Sequence, residues 1–331
     1  MRFSDRFLLQ IAQTLCYLHD HLRRKENDMR ATQTNKLLLW ALLPAIFLSP
    51  ARAVIVAGTL GTGNNNATKA GLDAYLSSVS GPMFPYWDNQ IRVSDASGVY
   101  LGYNPSTMRG WVLSANHVTT PTSITVAGNS YSVISGQRIG TTDLKLYQIG
   151  GGVADPALPI SIPAVQLASS LSAGGEFSLM FGRGSTNSSN APYTWVAPGT
   201  DPANGARWAT NIIEGTFGYL GNEILFTDFD APFEQSGTAY EGQGALGDSG
   251  GGLFVWRNGS WELAGITWAV SSEGAQAVIG DETYYSGIFS QASAIRAITG
   301  ELVPEPSTAA YLLPSFLILI RQRRRPRKID S

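Results

Sequence analysis

Short apolar segments, cut every few residues by turn-forming clusters, dominate the middle of this 331-residue chain. Alternating stretches occur at Ile91-Arg92-Val93, Val99 to Leu101, Trp111 to Leu113, Ile124 to Val126, Tyr131 to Val133 and Leu144 to Tyr147. Further ones follow at Phe177 to Phe181, Ile224 to Phe226, Leu253 to Trp256, Leu263 to Trp268 and Gly287 to Ser290. Clusters rich in Gly, Asn, Ser and Pro separate them, among them Gly182 to Asn190 and Pro198 to Ala206. A period of two with frequent turns belongs to strands that bury one face, so the expected class is all-β, a sandwich or barrel. Pro156, Pro159 and Pro163 punctuate Asp155 to Ala164. Each proline removes a ladder donor, which makes this stretch an extended linker between two β units. Helical spacing returns only near the end, at Ile295, Ile298 and Leu302, and predicts one closing helix over Gln291 to Leu302. No internal repeat of fixed period is present.

Charge is distributed unevenly. Residues 54–303 hold nine Lys/Arg against nineteen Asp/Glu, whereas residues 1–53 hold eight against four, and Arg321 to Lys328 adds six more basic residues. An acidic middle excludes a nucleic-acid binder, which needs its cations on the folded surface. The basic ends read as addresses. Arg30 and Lys36 precede a twelve-residue apolar core, Leu37 to Leu48, and Ala51-Arg52-Ala53 is a small-x-small cleavage site. Those are the three parts of a secretory signal peptide, so 1–53 is expected to be an N-terminal extension and signal, with Met29 as an alternative start. The sole cysteine, Cys16, precedes the signal. The exported chain would contain no disulfide, and a core of about 250 residues can fold without one.

At the other end, Val303-Pro304-Glu305-Pro306 leads into an apolar run from Ala309 to Ile320 and then RQRRRPRK. Twelve apolar residues fall short of the ~20 that cross a bilayer. This order of parts resembles the PEP-CTERM sorting signal of Gram-negative bacteria. The resemblance implies an exosortase-type partner at residues 303–331, transient membrane association through the tail, and a core placed outside the cytoplasm. A simple membrane anchor is the alternative reading.

The segment with most chemistry is Gly247-Asp248-Ser249-Gly250-Gly251. A nucleophilic serine needs a tight turn whose N–H groups point at a developing oxyanion, and glycines permit that backbone. A glycine-rich surface turn would look similar in isolation. Of three histidines, His19 and His21 precede the signal, leaving His117 alone in the exported chain, at the end of the apolar segment from Trp111. Asp143 opens the segment Leu144 to Tyr147 and lies between His117 and Ser249 in sequence, although an aspartate there can also cap a turn.

WVLSANH, DLKLYQI and GDSGG are similar, in that order, to the histidine, aspartate and serine motifs of the chymotrypsin/trypsin-like serine proteases. Gly265 to Ala269 and Gly287 to Ser290 resemble the family's substrate-backbone strand and the strand behind its specificity pocket. The resemblance covers about Pro85 to Leu302. It implies two six-stranded antiparallel β-barrels, about 84–155 and 165–290, with a short C-terminal helix. It also implies a secreted endopeptidase acting on protein or peptide substrates without a cofactor or metal. By the same resemblance His117, Asp143 and Ser249 are catalytic, and the N–H groups of Gly247 and Ser249 form the oxyanion hole. Gln243, Thr267, Trp268, Ala269 and Gly287 would contact substrate. A neutral amide at Gln243 offers no charge to Lys or Arg, so neutral side chains are the expected preference.

Val54 to Gly58 resembles the family's mature start, which pairs with the aspartate before the serine, here Asp248. Cleavage after Ala53 would expose it, but about thirty residues then separate it from the first strand, and an extra N-terminal segment with its own packing fits equally well. Gly247-x-Ser249-x-Gly251 also fits the elbow of α/β-hydrolases, which place their histidine after the serine; none follows Ser249. A catalytically inactive protease fold used for binding in the cell envelope is the remaining alternative, and Asn116 beside the histidine is the one local departure. One histidine and no cysteine leave only carboxylates for a metal.

Overall fold

The structure, a computed structural model, describes residues 54–56, 68–184, 186–187, 193–196, 205–231, 237–272 and 276–302. The expected signal at 1–53 and the expected sorting tail at 303–331 lie outside these. Among the described residues no helix is long and apolar enough to cross a membrane.

A two-residue strand β1 (Ile55–Val56) and a helix α1 (Lys69–Ser78) precede the first sheet. That sheet comprises β2 (Gln90–Val93), β3 (Ala96–Asn104), β4 (Arg109–Ala115), β5 (Ser123–Val126), β6 (Asn129–Arg138) and β7 (Leu144–Ile149). Its order is β2-β3-β4-β7-β6-β5, antiparallel throughout, and β5 returns beside β2 so that the sheet is nearly closed. Val99, Leu113, Leu144 and Leu146 on one face of the sheet and Val112 on the other have no exposed surface. Each such side chain contributes about 1.5–3 kcal/mol by leaving water.

No strand occurs between Ile149 and Glu176, in keeping with the prolines there. The second half contains β8 (Glu176–Gly182), β9 (Thr186–Asn187), β10 (Tyr193–Val196), β11 (Arg207–Ile213), β12 (Gly215–Tyr219), β13 (Asn222–Asp228) and β14 (Gly242–Gln243). It continues with β15 (Gly252–Arg257), β16 (Ser260–Val270), β17 (Gln276–Ala277) and β18 (Glu282–Gly287). Seven of these form one antiparallel sheet, ordered β11-β8-β15-β16-β18-β13-β12. The count exceeds the expected six because Glu214 separates β11 from β12; its N–H bonds Phe226 O at 3.0 Å. The amide of Asn211 reaches Asp228 O at 2.7 Å, drawing β11 beside β13 and curling the sheet.

Three local outcomes differ from the sequence reading. Residues 69–78 are helical, although their alternation is weak. Thr68 caps the helix by accepting the Gly71 N–H at 3.0 Å, Lys69 pairs with Asp73 one turn on, and Leu72 and Leu76 bury one narrow face. Tyr75 stacks on Trp208, with ring centroids 5.4 Å apart, so the helix is fastened to the second sheet. Secondly, the strand expected at Gly287 to Ser290 ends at Gly287, and Phe289–Gln291 is a 3-10 turn leading into α2 (Ala292–Thr299). Thirdly, α2 is shorter than Gln291 to Leu302: it stops at Gly300, whose φ of 66° suits a residue without Cβ.

Candidate active site

β4 and β7 are neighbours, and their last pair is Ala115 with Leu144. The chain therefore delivers His117, just past β4, to Asp143, just before β7. The contact is double: the His117 backbone N–H donates to Asp143 Oδ1 at 3.0 Å, and His117 Nδ1 lies 2.6 Å from Oδ2. Asn116 adds a third tie, its N–H to the Asp143 carbonyl at 3.0 Å. The hydrogen bond from Asp143 lifts the His117 pKa above its ordinary value, against the opposing pull of partial burial. On the far side of the ring, Nε2 lies 2.8 Å from Ser249 Oγ. With the Nδ1 proton directed at the carboxylate, Nε2 has its lone pair toward the hydroxyl. Asp143, His117 and Ser249 thus form one unbroken hydrogen-bonded chain, with the imidazole half exposed.

Ser249 sits in the turn between β14 and β15. Gly247 and Gly250 have φ of 90° and 89°, conformations that a side chain would strain. A Cβ on Gly250 would lie 2.0 Å from Ser97 O, so this position is closed to other residues on two counts. The neighbouring peptides are anchored: Asp248 N–H to Ala245 O at 3.0 Å, Gly250 N–H to Thr267 O at 2.9 Å, Gly251 N–H to Asp248 O at 2.8 Å. By contrast, the N–H groups of Gly247 and Ser249 bond to no described residue. Two unpaired donors beside a hydroxyl are available to an oxygen that gains charge.

Behind this turn Asp248 is almost fully buried. Its carboxylate accepts N–H groups from Val54 at 2.9 Å, Ala245 at 2.8 Å and Gly184 at 2.8 Å. Burial pushes its pKa up to about 7 despite these bonds. Val54, Ile55 and Val56 are buried too, and β1 pairs with β14 at Ile55–Gln243 and Val56–Gly242. Val54 has a φ of 24°, an outlier for a β-branched residue inside a chain.

The expected substrate residues do not all assemble. Thr267 N–H bonds Gly251 O at 2.8 Å, which places Trp268 and Ala269 beside the nucleophile turn. Trp268 lies against Tyr219 and Tyr284, with centroids 5.6 and 6.3 Å away. Gln243 is buried, and its amide is occupied: Nε2 donates to Glu282 O at 3.2 Å and Oε1 accepts from Thr283 Oγ1 at 3.1 Å. Gly287 is elsewhere. It pairs with Gly265 and faces Glu223, four residues along β18 from Thr283. The β16/β18 register, shifted by a bulge at Trp268, sets Thr283 and Tyr284 opposite Val270 and Ala269. Thr283 therefore takes the place that Gly287 was expected to hold. Among the described residues no group of three or more His, Cys, Asp or Glu is placed to bind a metal.

No known family profile matches the chain, and no curated protein matches it. Among solved structures it is similar to mouse neuropsin, described as a serine protease expressed in the limbic system of the brain. That likeness has 18% identity and a TM-score of 0.45, and covers 65% of this chain and 96% of that one. At that level it adds nothing to the geometry above.

Proposed function

We propose that this chain is a serine endopeptidase in which Ser249, His117 and Asp143 carry the reaction. The observation that carries the proposal is the hydrogen-bonded series from Asp143 through His117 to Ser249 Oγ, beside two N–H groups left unpaired. Ser249 Oγ attacks the substrate carbonyl carbon as its proton passes to His117 Nε2. Asp143 holds the other ring nitrogen and stabilises the imidazolium. The carbonyl oxygen, now an anion, lies between the N–H groups of Gly247 and Ser249, each worth about 3–4 kcal/mol in sites of this kind. Collapse of the tetrahedral species expels the amine, which takes the proton from His117. Water, deprotonated by the same ring, then releases the acyl group from Ser249.

The substrate is a protein or peptide. Gln243 is neutral and its amide is committed to Thr283 and Glu282, which favours neutral side chains at the cleaved bond. The N-terminal signal would export the enzyme to the envelope or exterior of a Gram-negative bacterium. Sorting would follow through the C-terminal tail and an exosortase-type partner. Cleavage after Ala53 would also turn the Val54 N–H into an ammonium facing Asp248 and remove the strained φ, which exists only while a residue precedes Val54. Export and activation would then be one cut.

Labelling by a fluorophosphonate probe after export tests the reading. Wild type should label, and Ser249→Ala and His117→Ala should not. A folded, exported wild type that stays unlabelled overturns the proposal.

A further inference from the structure

Ser97, at the start of β3 in the first sheet, touches the nucleophile turn of the second sheet at two places. Its N–H donates to Ser249 O at 2.9 Å, and its hydroxyl donates to Gly247 O at 3.0 Å. The hydroxyl's acceptor side is filled by the Arg183 N–H at 2.8 Å, and the Ser97 carbonyl accepts from Ser114 Oγ at 2.7 Å. A serine hydroxyl has one proton to give. With Arg183 supplying a donor, that proton is directed at Gly247 O. The residue is 2% exposed, so water does not compete.

The peptide planes of the turn explain what these contacts do. The plane joining Gly247 and Asp248 is held at both ends, by Ser97 Oγ on its carbonyl and by Ala245 O on its N–H. The plane joining Ser249 and Gly250 is likewise held, by the Ser97 N–H and by Thr267 O. Between them lies the plane joining Asp248 and Ser249, whose N–H is unpaired. Fixing both flanking planes fixes the direction in which that N–H points, and the first plane also sets the backbone of Gly247. We infer that Ser97 is a positioning residue for the oxyanion site: without touching substrate, its side chain fixes the Gly247–Asp248 plane on one side of the Ser249 N–H, while its backbone N–H holds the plane on the other. This inference rests on the protease reading.

The test is the saturation kinetics of fluorophosphonate labelling on the exported protein. Ser97→Ala should lower the maximal labelling rate about tenfold, a fraction of what complete loss of one oxyanion donor costs, and leave the half-saturating probe concentration unchanged. Ser97→Thr, which restores a hydroxyl, should recover the rate. Ser97→Cys keeps the shape with a weaker donor, should fall between, and serves if the alanine variant does not fold. Ser178→Ala is the control: it removes a buried hydroxyl bonded to Asn211 O, far from the turn, and should lose stability without changing the labelling rate. A labelled wild type with Ser97→Ala and Ser97→Cys at the same maximal rate overturns the inference alone. So does a fall no larger than that of Ser178→Ala. A folded wild type that never labels overturns the protease reading and this inference with it.

Discussion

In the six-stranded sheet, His117 and Asp143 meet because β4 and β7 are paired and each residue lies just beyond the last rung at Ala115 and Leu144. Ladder register alone brings base and carboxylate together. In the seven-stranded sheet, Ser249 lies in a turn that its own sheet holds only in part, through Thr267 of β16. Its shape depends on groups from distant parts of the chain: Ser97, Gly184 and Val54. One half of the site is thus as stable as the sheet that carries it. The other half also depends on a set of long-range contacts.

The largest effect expected falls on the register-built half. Asp143→Asn keeps the geometry but hands His117 the wrong tautomer, and should lower kcat/KM about 10⁴-fold, as in triads of this kind. The base must be neutral to act, and Asp143 raises the His117 pKa. The activity of wild type should therefore rise with pH through a midpoint above histidine's 6.5, and the variant's midpoint should move down. An unchanged midpoint would break the assignment of Asp143. The same raised pKa means that the pair's contribution to stability is complete below about pH 6.5 and is lost as pH rises through the folded value.

The next effect separates the two halves. In the uncut chain Asp248 keeps its proton to about pH 7, so the fold loses stability as pH climbs from about 4 to 7, where the unfolded chain ionises freely. Asp248→Asn should change the stability of that chain by about 1 kcal/mol. In a chain beginning at Val54 it leaves a buried ammonium without its partner, and should cost about 3–5 kcal/mol together with most of the activity. Chemical denaturation of both forms gives the comparison; equal costs would mean that Val54 never carries the charge.

The smallest effect concerns the helix that follows Val56. Leu72→Ala should cost roughly 3 kcal/mol in denaturation, because a fully buried side chain leaves a cavity against the second sheet. It should leave the maximal labelling rate of the folded fraction unaltered. A fall in that rate would tie α1 to the turn itself.

Legibility in the sequence followed the same division. Strand periodicity marked every strand of the first sheet but missed β11, β12 and most of β18 in the second, and the three chemical groups were read from motifs that resemble those of a protease family. What escaped was set by partners far away. Ser97 has nothing in its neighbourhood to show that it bonds residues about 150 positions later. Gly287 lies opposite Gly265, four positions along β18 from Thr283, in a cross-strand register that no single strand records. Helix α1 shows only Leu72 and Leu76 as buried apolar residues; Thr68 as its cap and the Lys69–Asp73 spacing were the signals available.

The bond from Val54 to Asp248 spans 194 residues. Closing so long a loop costs chain entropy that is recovered only after both sheets exist, so in the order of folding this contact comes late. A nascent or half-folded copy would have its strands, its histidine and its serine, yet no finished turn to act with. On the proposed protease reading, a contact that forms late would keep an immature molecule from cutting its neighbours.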